Sequence, residues 1–493
     1  MIMHDSGAVF FRTLLGAQPH LAQVRADLAQ CLMLDGDYAG AIAESTTALQ
    51  QDETLVLSWL VRAQAHKARC QFESAIIDFE HAARLAPNRA SILTNLAHCY
   101  AELDLLGEAE TRLRQAVALD PGSLEAQASY GSILLRHGKP ELAEDACRAA
   151  LALNPDHIGA HRNLSGLLAE RDPEQAKAHR DAAYRQQQIF IERAASPRRR
   201  VLVLSAADAA NVPLRFLMPR THNTRIHWYG EYATPDQDRR LPEFDLIFNA
   251  VGDADLAPPL SPPVARLLHE HRALVLNRPE QVAATRRSDL PGLLAGIDDV
   301  AVPAVRFGAA PGMALPLLAR PAGSHGGEGV KKITSTAELD ALETGHCYFT
   351  QFVDYRSPDG WYRKYRFIFV GGRTFAYHLA ISSHWLVHYW TSGMAENAGK
   401  RAEEQKFLQH PRAMIGEKSF AALEKIAARL GLDYGGIDFG ILPDGRLLVF
   451  EANATMLVHP EHDALFAYRN PAVAAIGAAF EAMLALPRVM PAI

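Results

Sequence analysis

Cysteine is scarce. The 493-residue chain has five, Cys31, Cys70, Cys99, Cys147 and Cys347, and no two of them form a CxxC pair. That excludes a disulfide framework and sets the expectation of a reducing, cytoplasmic environment. Positive charge is not in excess either: 50 Lys and Arg stand against 56 Asp and Glu, a net charge of −6. Non-specific nucleic-acid binding needs a basic surface and is not expected. No apolar run reaches the roughly 18 residues needed to cross a bilayer. The alanine-rich stretch Pro471–Leu486 comes closest, and Glu481 interrupts it. The opening residues MIMHDSGAVFFRTLLG have neither a basic n-region nor a long apolar segment, so no secretory leader is expected. What is present is ordinary for a globular protein, 48% apolar and 22% charged. The length suits about three domains.

The first third repeats itself. Pro87, Pro121 and Pro155 fall 34 residues apart. Ala82, Ala116 and Ala150 precede them at one common offset, and Ala75, Ala109 and Ala143 at another. Trp59, Leu93 and Gln127 share an early slot, and Gly131 and Gly138 occupy small-residue slots of the last clear unit. An earlier unit, GDYAGAIAESTTALQQDE, holds Ala41 and Ala48 in register, and a weaker one follows from Ile158. The pattern reads as pairs of short amphipathic helices. Small residues let the helices approach closely, and proline stops the second helix of each pair because it lacks the N–H that a helix interior needs. A single pair cannot bury its apolar face alone, so stacked pairs make the core and leave a concave groove. The repeat resembles the tetratricopeptide repeat over about 150 residues. That resemblance implies a docking surface for a peptide or protein, with self-association as the alternative. The four cysteines in this stretch read as small apolar fillers.

Beyond it the pattern alternates between strand and helix. VLVLSA from Val201, IHWYGEY, FDLIFNAVGD and LVLNRP read as strands, and LSPPVARLLHEHRA as a helix, which implies a parallel sheet. LPLLARPAGSHGGEGVKKI ends a strand at Arg320 and enters a loop holding Gly323, Ser324, His325, Gly326 and Gly327. Glycines let main-chain amides approach an anion, and the neighbouring arginine would neutralise phosphate charge. YFTQFVDY is expected as a strand from Tyr348 that turns at Asp354. WYRKYRFIFVGGRTFAYHLA reads as a hairpin turned at Gly371-Gly372, and YGGIDFGILPDGRLLVFEANATM as another turned at Pro443-Asp444-Gly445. The second hairpin brings Asp438 near Glu451 and Asn453, and the latter two share a face because side chains alternate along a strand. Two carboxylates and an amide oxygen are hard ligands suited to magnesium.

From about Arg200 onward this combination resembles the ATP-grasp fold, and within it the carboxylate–amine ligases similar to glutathione synthetase, the RimK-type ligases and D-alanine ligase. The resemblance implies an α + α/β multidomain chain: a tetratricopeptide solenoid over 1–180, a linker or capping helix over 181–199, a Rossmann-like pre-ATP-grasp domain over 200–280 and the ATP-grasp domain over 281–493. It implies ATP and Mg2+ as cofactors and a reaction that phosphorylates a carboxylate, then joins it to an amine with release of ADP. Residue by residue, it implies Asp438, Glu451 and Asn453 as magnesium ligands, and Arg320 in the place of a phosphate-binding lysine. The Gly323–Gly327 loop, with Ser324, His325 and Gly326, would cover the phosphates. Arg286 or Arg287 would be the basic residue opening the central domain, and Gln351, Phe352 and Val353 the hinge that reads adenine. Asp354 is the candidate for the ribose, and Arg366 is expected near the transferred phosphate. Lys364 departs from the pattern, since RimK-type members often carry aspartate there.

His378, His384 and His388 lie together in HLAISSHWLVHYW. They read as substrate contacts, as a transition-metal site, or as a polar loop of partly exposed histidines. The leading expectation is thus an ATP-dependent ligase whose repeats dock a peptide or protein, with small-molecule or peptide acid and amine substrates. The alternatives are a repeat scaffold whose nucleotide domain only senses ATP, and phosphoryl transfer to a small molecule.

Overall fold

The computed structural model describes residues 5–194, 196–207, 211–323, 327, 329–342 and 344–485. The chain divides into two compact units, Met1–Arg198 with Arg220–Thr224, and Arg199–Pro219 with Arg225–Ile493.

The first unit is helical: α1 (Asp5–Ala17), α2 (Ala22–Leu34), α3 (Tyr38–Gln51), α4 (Val56–Ala68), α5 (Phe72–Leu85), α6 (Ala90–Glu102), α7 (Leu106–Leu119), α8 (Leu124–Arg136), α9 (Pro140–Leu153), α10 (Ile158–Leu168) and α11 (Pro173–Gln186). From α2 onward the helices pair in sequence. The recurring alanines explain the pairing, since Ala41, Ala48, Ala75, Ala82, Ala109, Ala116, Ala143 and Ala150 are all fully buried. A methyl group is all the closely packed backbones admit at these slots. At Gly131 even that is too much, because a Cβ there would sit 2.6 Å from Cys147 Sγ. Helices α5, α7 and α9 each stop two residues before a repeat proline. Cys99 and Cys147 are buried fillers, as expected, and burial pushes the Cys99 thiol up to about 12. Cys70 is different: it occupies a left-handed turn after α4, at φ 56°. The stretch 181–199 is also more structured than a linker, since α11 runs through Gln186 and a strand, β1 (Ile189–Glu192), follows it.

The second unit opens with β2 (Arg199–Ser205), β3 (Asn223–Tyr229), β4 (Leu246–Asn249) and β5 (Leu274–Leu276), with α12 (Pro262–Glu270), α13 (Pro279–Ala283) and α14 (Leu290–Leu293). These strands lie in the order β3-β2-β4-β5, and β2, β4 and β5 are parallel. There follow β6 (Val300–Ala301), β7 (Val305–Phe307), β8 (Leu317–Pro321), β9 (Lys331–Ile333), α15 (Thr336–Asp340) and β10 (Cys347–Gln351). Then come β11 (Tyr362–Val370), β12 (Arg373–Ser382), α16 (Ala398–Gln409), α17 (Pro411–Ile415), α18 (Glu417–Leu430), β13 (Tyr434–Ile441), β14 (Leu447–Asn453) and α19 (Asn470–Leu484). One sheet has the order β7-β10-β8-β9 and another β12-β11-β13-β14-β6. Both expected hairpins are present, β11 with β12 and β13 with β14. Strand β10 is shorter than the sequence suggests and ends at Gln351, before Asp354.

The boundary expected at 280 separates two sheets but not two cores. A single buried cluster runs from Val201 to Leu484, and the Phe248 ring lies 5.4 Å from that of Phe480. Asn277 ties the sheets as well. Its amide donates to Tyr434 O and accepts from Tyr434 N, both at 2.8 Å, at a residue held at φ 51°.

Candidate functional site

The antiparallel registers assemble the site. Arg366 on β11 stands opposite Asp438 on β13 and opposite His378 on β12, and Asp438 stands opposite Glu451 on β14. The β11–β12 ladder slips directly after Arg366, and the β13–β14 ladder directly after Asp438. Such irregularities bend a strand and re-aim side chains, which is why they gather beside sites.

Asp438 is buried, with Arg366 Nε 2.5 Å from Oδ1, Arg366 Nη2 2.7 Å from Oδ2 and Lys364 Nζ 3.1 Å from Oδ2. Burial alone would raise its pKa. The charge of Arg366 and then that of Lys364 overcome it and hold the carboxyl far below the usual range. Glu451 is also held low against burial, by Arg287 and Arg320, whose Nη atoms lie 3.2 and 3.6 Å from Oε2. Arg320 Nη1 is buried without a hydrogen-bond partner among the described residues. Four cations thus surround two carboxylates, an excess of positive charge with one donor unused, which is the electrostatic setting of an anion site.

These groups form one end of a cleft of about 160 Å³ between the two antiparallel sheets. The other end is apolar, with Val302, Val305, Leu318, Leu448 and Phe450. Gln351, Phe352 and Val353 line it too. The Gln351 and Phe352 amides are spent on the fold, donating to Ala304 O at 3.0 Å and Pro316 O at 3.1 Å. Phe352 is clasped by Lys332, whose Nζ lies 3.5 Å from the ring centre, and by Trp385 edge-on at 5.7 Å. The aromatic-lysine contact was not read from sequence; its only trace there is the KK pair that ends the glycine loop.

The remaining expected residues distribute as follows. Of the two candidate arginines, Arg287 reaches Glu451, whereas Arg286 lines a separate crevice. Gly323 and Gly327 have φ of 74° and 86°, a region that favours glycine, and Gly327 lines the cleft. Ser324, His325 and Gly326 lie outside the described residues. Asp354 is turned away from the cleft wall and accepts the Arg356 amide at 3.0 Å. Asn453 pairs with Gly436 in the ladder, and its Oδ1 accepts from Thr455 N and Oγ1, both at 3.0 Å. His378 belongs to a strand rather than an exposed loop. It is buried, its Nδ1 has no partner among the described residues, and burial followed by Arg366 lowers its pKa. His388 Nδ1 is likewise buried and without such a partner, while His384 is exposed and accepts from Leu386 N at 3.2 Å. Among the described residues no cluster of three His, Cys, Asp or Glu side chains forms a metal centre. Asp438 and Glu451, two ionised hard donors on neighbouring strands, fit a magnesium ion bridged to phosphate better than an all-protein cage.

Comparison with known proteins bears on the first unit. The tetratricopeptide repeat family model matches residues 90–123, the span that begins with α6. The N-terminal region is built of tetratricopeptide repeats. The chain is 34% identical over 99 residues to human protein O-mannosyl-transferase TMTC3 (Homo sapiens), a match covering 20% of this chain and 11% of that protein. The mouse protein (Mus musculus) is 35% identical over 92 residues, 18% of this chain and 10% of that one. The chain therefore spans about a tenth of the length of the curated relatives it matches. Among solved structures, YrrB, described as a tetratricopeptide protein with an unusual peptide-binding site, overlays with a TM-score of 0.33 at 21% identity, covering 36% of this chain and 92% of that one. MamA overlays at 0.31 and 20% identity, covering 34% and 91%.

Proposed function

We propose that this chain is an ATP-dependent carboxylate–amine ligase of the ATP-grasp kind, whose repeats dock a peptide or protein substrate or partner. The observation that carries the reading is the pairing of Asp438 with Glu451 on adjacent strands inside a ring of four cations, at the polar end of a cleft whose other end is apolar. An apolar slot joined to an anion site is the shape of a nucleotide's binding place, base at one end and phosphates at the other. Phe352 and Val353 would flank the base. Arg287, Arg320 and Arg366 would offset the charge of the phosphoryl group in transfer, Arg320 with the donor it has to spare. Asp438 and Glu451 would hold magnesium, which supplies charge neutralisation between the phosphates when bound. The carboxylate substrate attacks the terminal phosphorus and ADP leaves; the amine then attacks the acyl carbon, phosphate leaves, and an amide is formed. A docking array fused to such a site raises the local concentration of a tethered substrate. The five cysteines, all free thiols, suit the cytoplasmic setting we propose.

The test is ADP release with MgATP, screened across carboxylate and amine mixtures with mass detection of amide products. Turnover should need both substrates and fall by about a thousandfold or more in Glu451→Ala, as expected when a charge-stabilising group is removed from a transfer site. Tight ATP binding with no turnover under any mixture would favour the sensing scaffold, and a phosphorylated product in place of an amide would select phosphoryl transfer.

A further inference from the structure

A second crevice opens in the same unit, at the carboxyl ends of the parallel strands. Ser205 at the end of β2 and Asn249 at the end of β4 mark its floor. The chain passes from β2 to β3 on one side and then crosses to β4 on the other. Open α/β sheets take ligands at that reversal, because the loops above the two strands part there. The crevice holds about 460 Å³, within the roughly 300–1,000 Å³ range of small-molecule sites. Trp228, Pro258, Val264 and Val282 make its wall apolar.

Its charges are opposite in sign and stand on opposite flanks. Glu231 follows β3, and Arg286 follows α13 beyond β5, at the other end of the β3-β2-β4-β5 order. Glu231 is fixed in place, with Oε1 accepting the Ala207 amide at 2.6 Å. The Arg286 side chain is 49% exposed, and its acidic neighbours Asp255 and Asp289 lie 3.8 and 4.0 Å away, beyond hydrogen-bond reach. Its contact with Ala254 O is long, at 3.4 Å.

We propose that this crevice binds a short apolar peptide of two or three residues as its zwitterion. The amino terminus meets Glu231, the carboxylate meets Arg286, and the side chains lie on the apolar wall. Size selects the peptide over a single amino acid. Three strand spacings of about 4.8 Å separate β3 from β5, a span one residue of about 3.5 Å does not bridge. Consecutive arginines then serve two sites, Arg287 the cleft and Arg286 the crevice. Peptide binding stands without the ligase reading; the peptide's role as substrate rests on it.

Calorimetric titration of the full chain, free of nucleotide, tests the proposal with Leu-Phe, N-acetyl-Leu-Phe, Leu-Phe-amide and Glu-Glu. Leu-Phe should bind, and either cap should weaken it by about tenfold or more, the worth of one charge-assisted contact. Arg286→Gln should erase the penalty for the amide alone, and Glu231→Gln the penalty for the acetyl group alone. Glutamine keeps an acceptor for the Ala207 amide, so the second variant retains that contact. Equal binding of free and capped peptides, preference for Glu-Glu, absence of binding, or penalties unmoved by either substitution would overturn the proposal. MgATP binding measured on the same samples separates the two readings: charge-dependent peptide binding without ATP binding upholds the crevice and sinks the ligase, and ATP binding without peptide binding does the reverse.

Discussion

The two units handle buried charge differently. In the repeat array, ion pairs join near neighbours: Arg62 with Asp78 at a separation of 16 residues, Lys139 with Glu110 at 29, Arg171 with Glu144 at 27. In the second unit Asp438 draws on Arg366 from 72 residues away, and Glu451 on Arg287 from 164. An array of local pairs is stabilised by neighbour-to-neighbour terms, so damage stays where it is made. A cleft assembled from distant strands exists only when the whole unit is folded, and one missing charge leaves its partners buried and uncompensated.

The sharpest way to break this contrast is Asp438→Asn. It strands Arg366 and Lys364 and should cost about 3–5 kcal/mol. Four of the five tryptophans lie in the second unit, so tryptophan fluorescence should show a lowered urea midpoint while the helical dichroism of the array keeps its own. Equal shifts in both signals would make the chain one cooperative block. The next effect is an acid one in the array. Burial first, and then Lys67, bring the His98 pKa down to about 4 from 6.5. The folded ring stays neutral while the unfolded one takes up a proton, so the contribution is complete above pH 6.5 and is lost as pH falls toward 4. The loss amounts to about 3 kcal/mol. His98→Gln should flatten that slope in thermal melts followed by dichroism; an unchanged slope would remove His98 from the account. The smallest expected effect is Gly131→Val. Its Cβ would meet Cys147 Sγ at 2.6 Å, and overpacking of this kind costs about 1–3 kcal/mol. The helical signal should weaken while the fluorescence midpoint holds.

The same contrast governs what could be read beforehand. The array was legible because its spacing repeats every 34 residues and each alanine slot answers to a helix only one turn of chain away. In the second unit the hairpins were legible from their turns and alternation, and they placed Asp438 beside Glu451. Sequence spacing could not choose between Arg286 and Arg287, because that depends on which way a short turn after α13 faces. Nor could it show that His378 is buried, that Asn453 is drawn to Thr455, that Asp354 turns to Arg356, or that a strand follows α11. Each depends on partners that only the folded chain brings near. Lys364 stood out as a departure from a pattern, and its place beside Asp438 gives that departure a physical role.

Asn277 carries a mechanical consequence. One side chain satisfies both valences of the Tyr434 peptide group, so it acts as a rivet between the parallel sheet and the hairpin that bears the carboxylates. Those two parts form a fixed jaw. Any opening that admits a nucleotide must then come from the opposite jaw, the small sheet that carries Arg320.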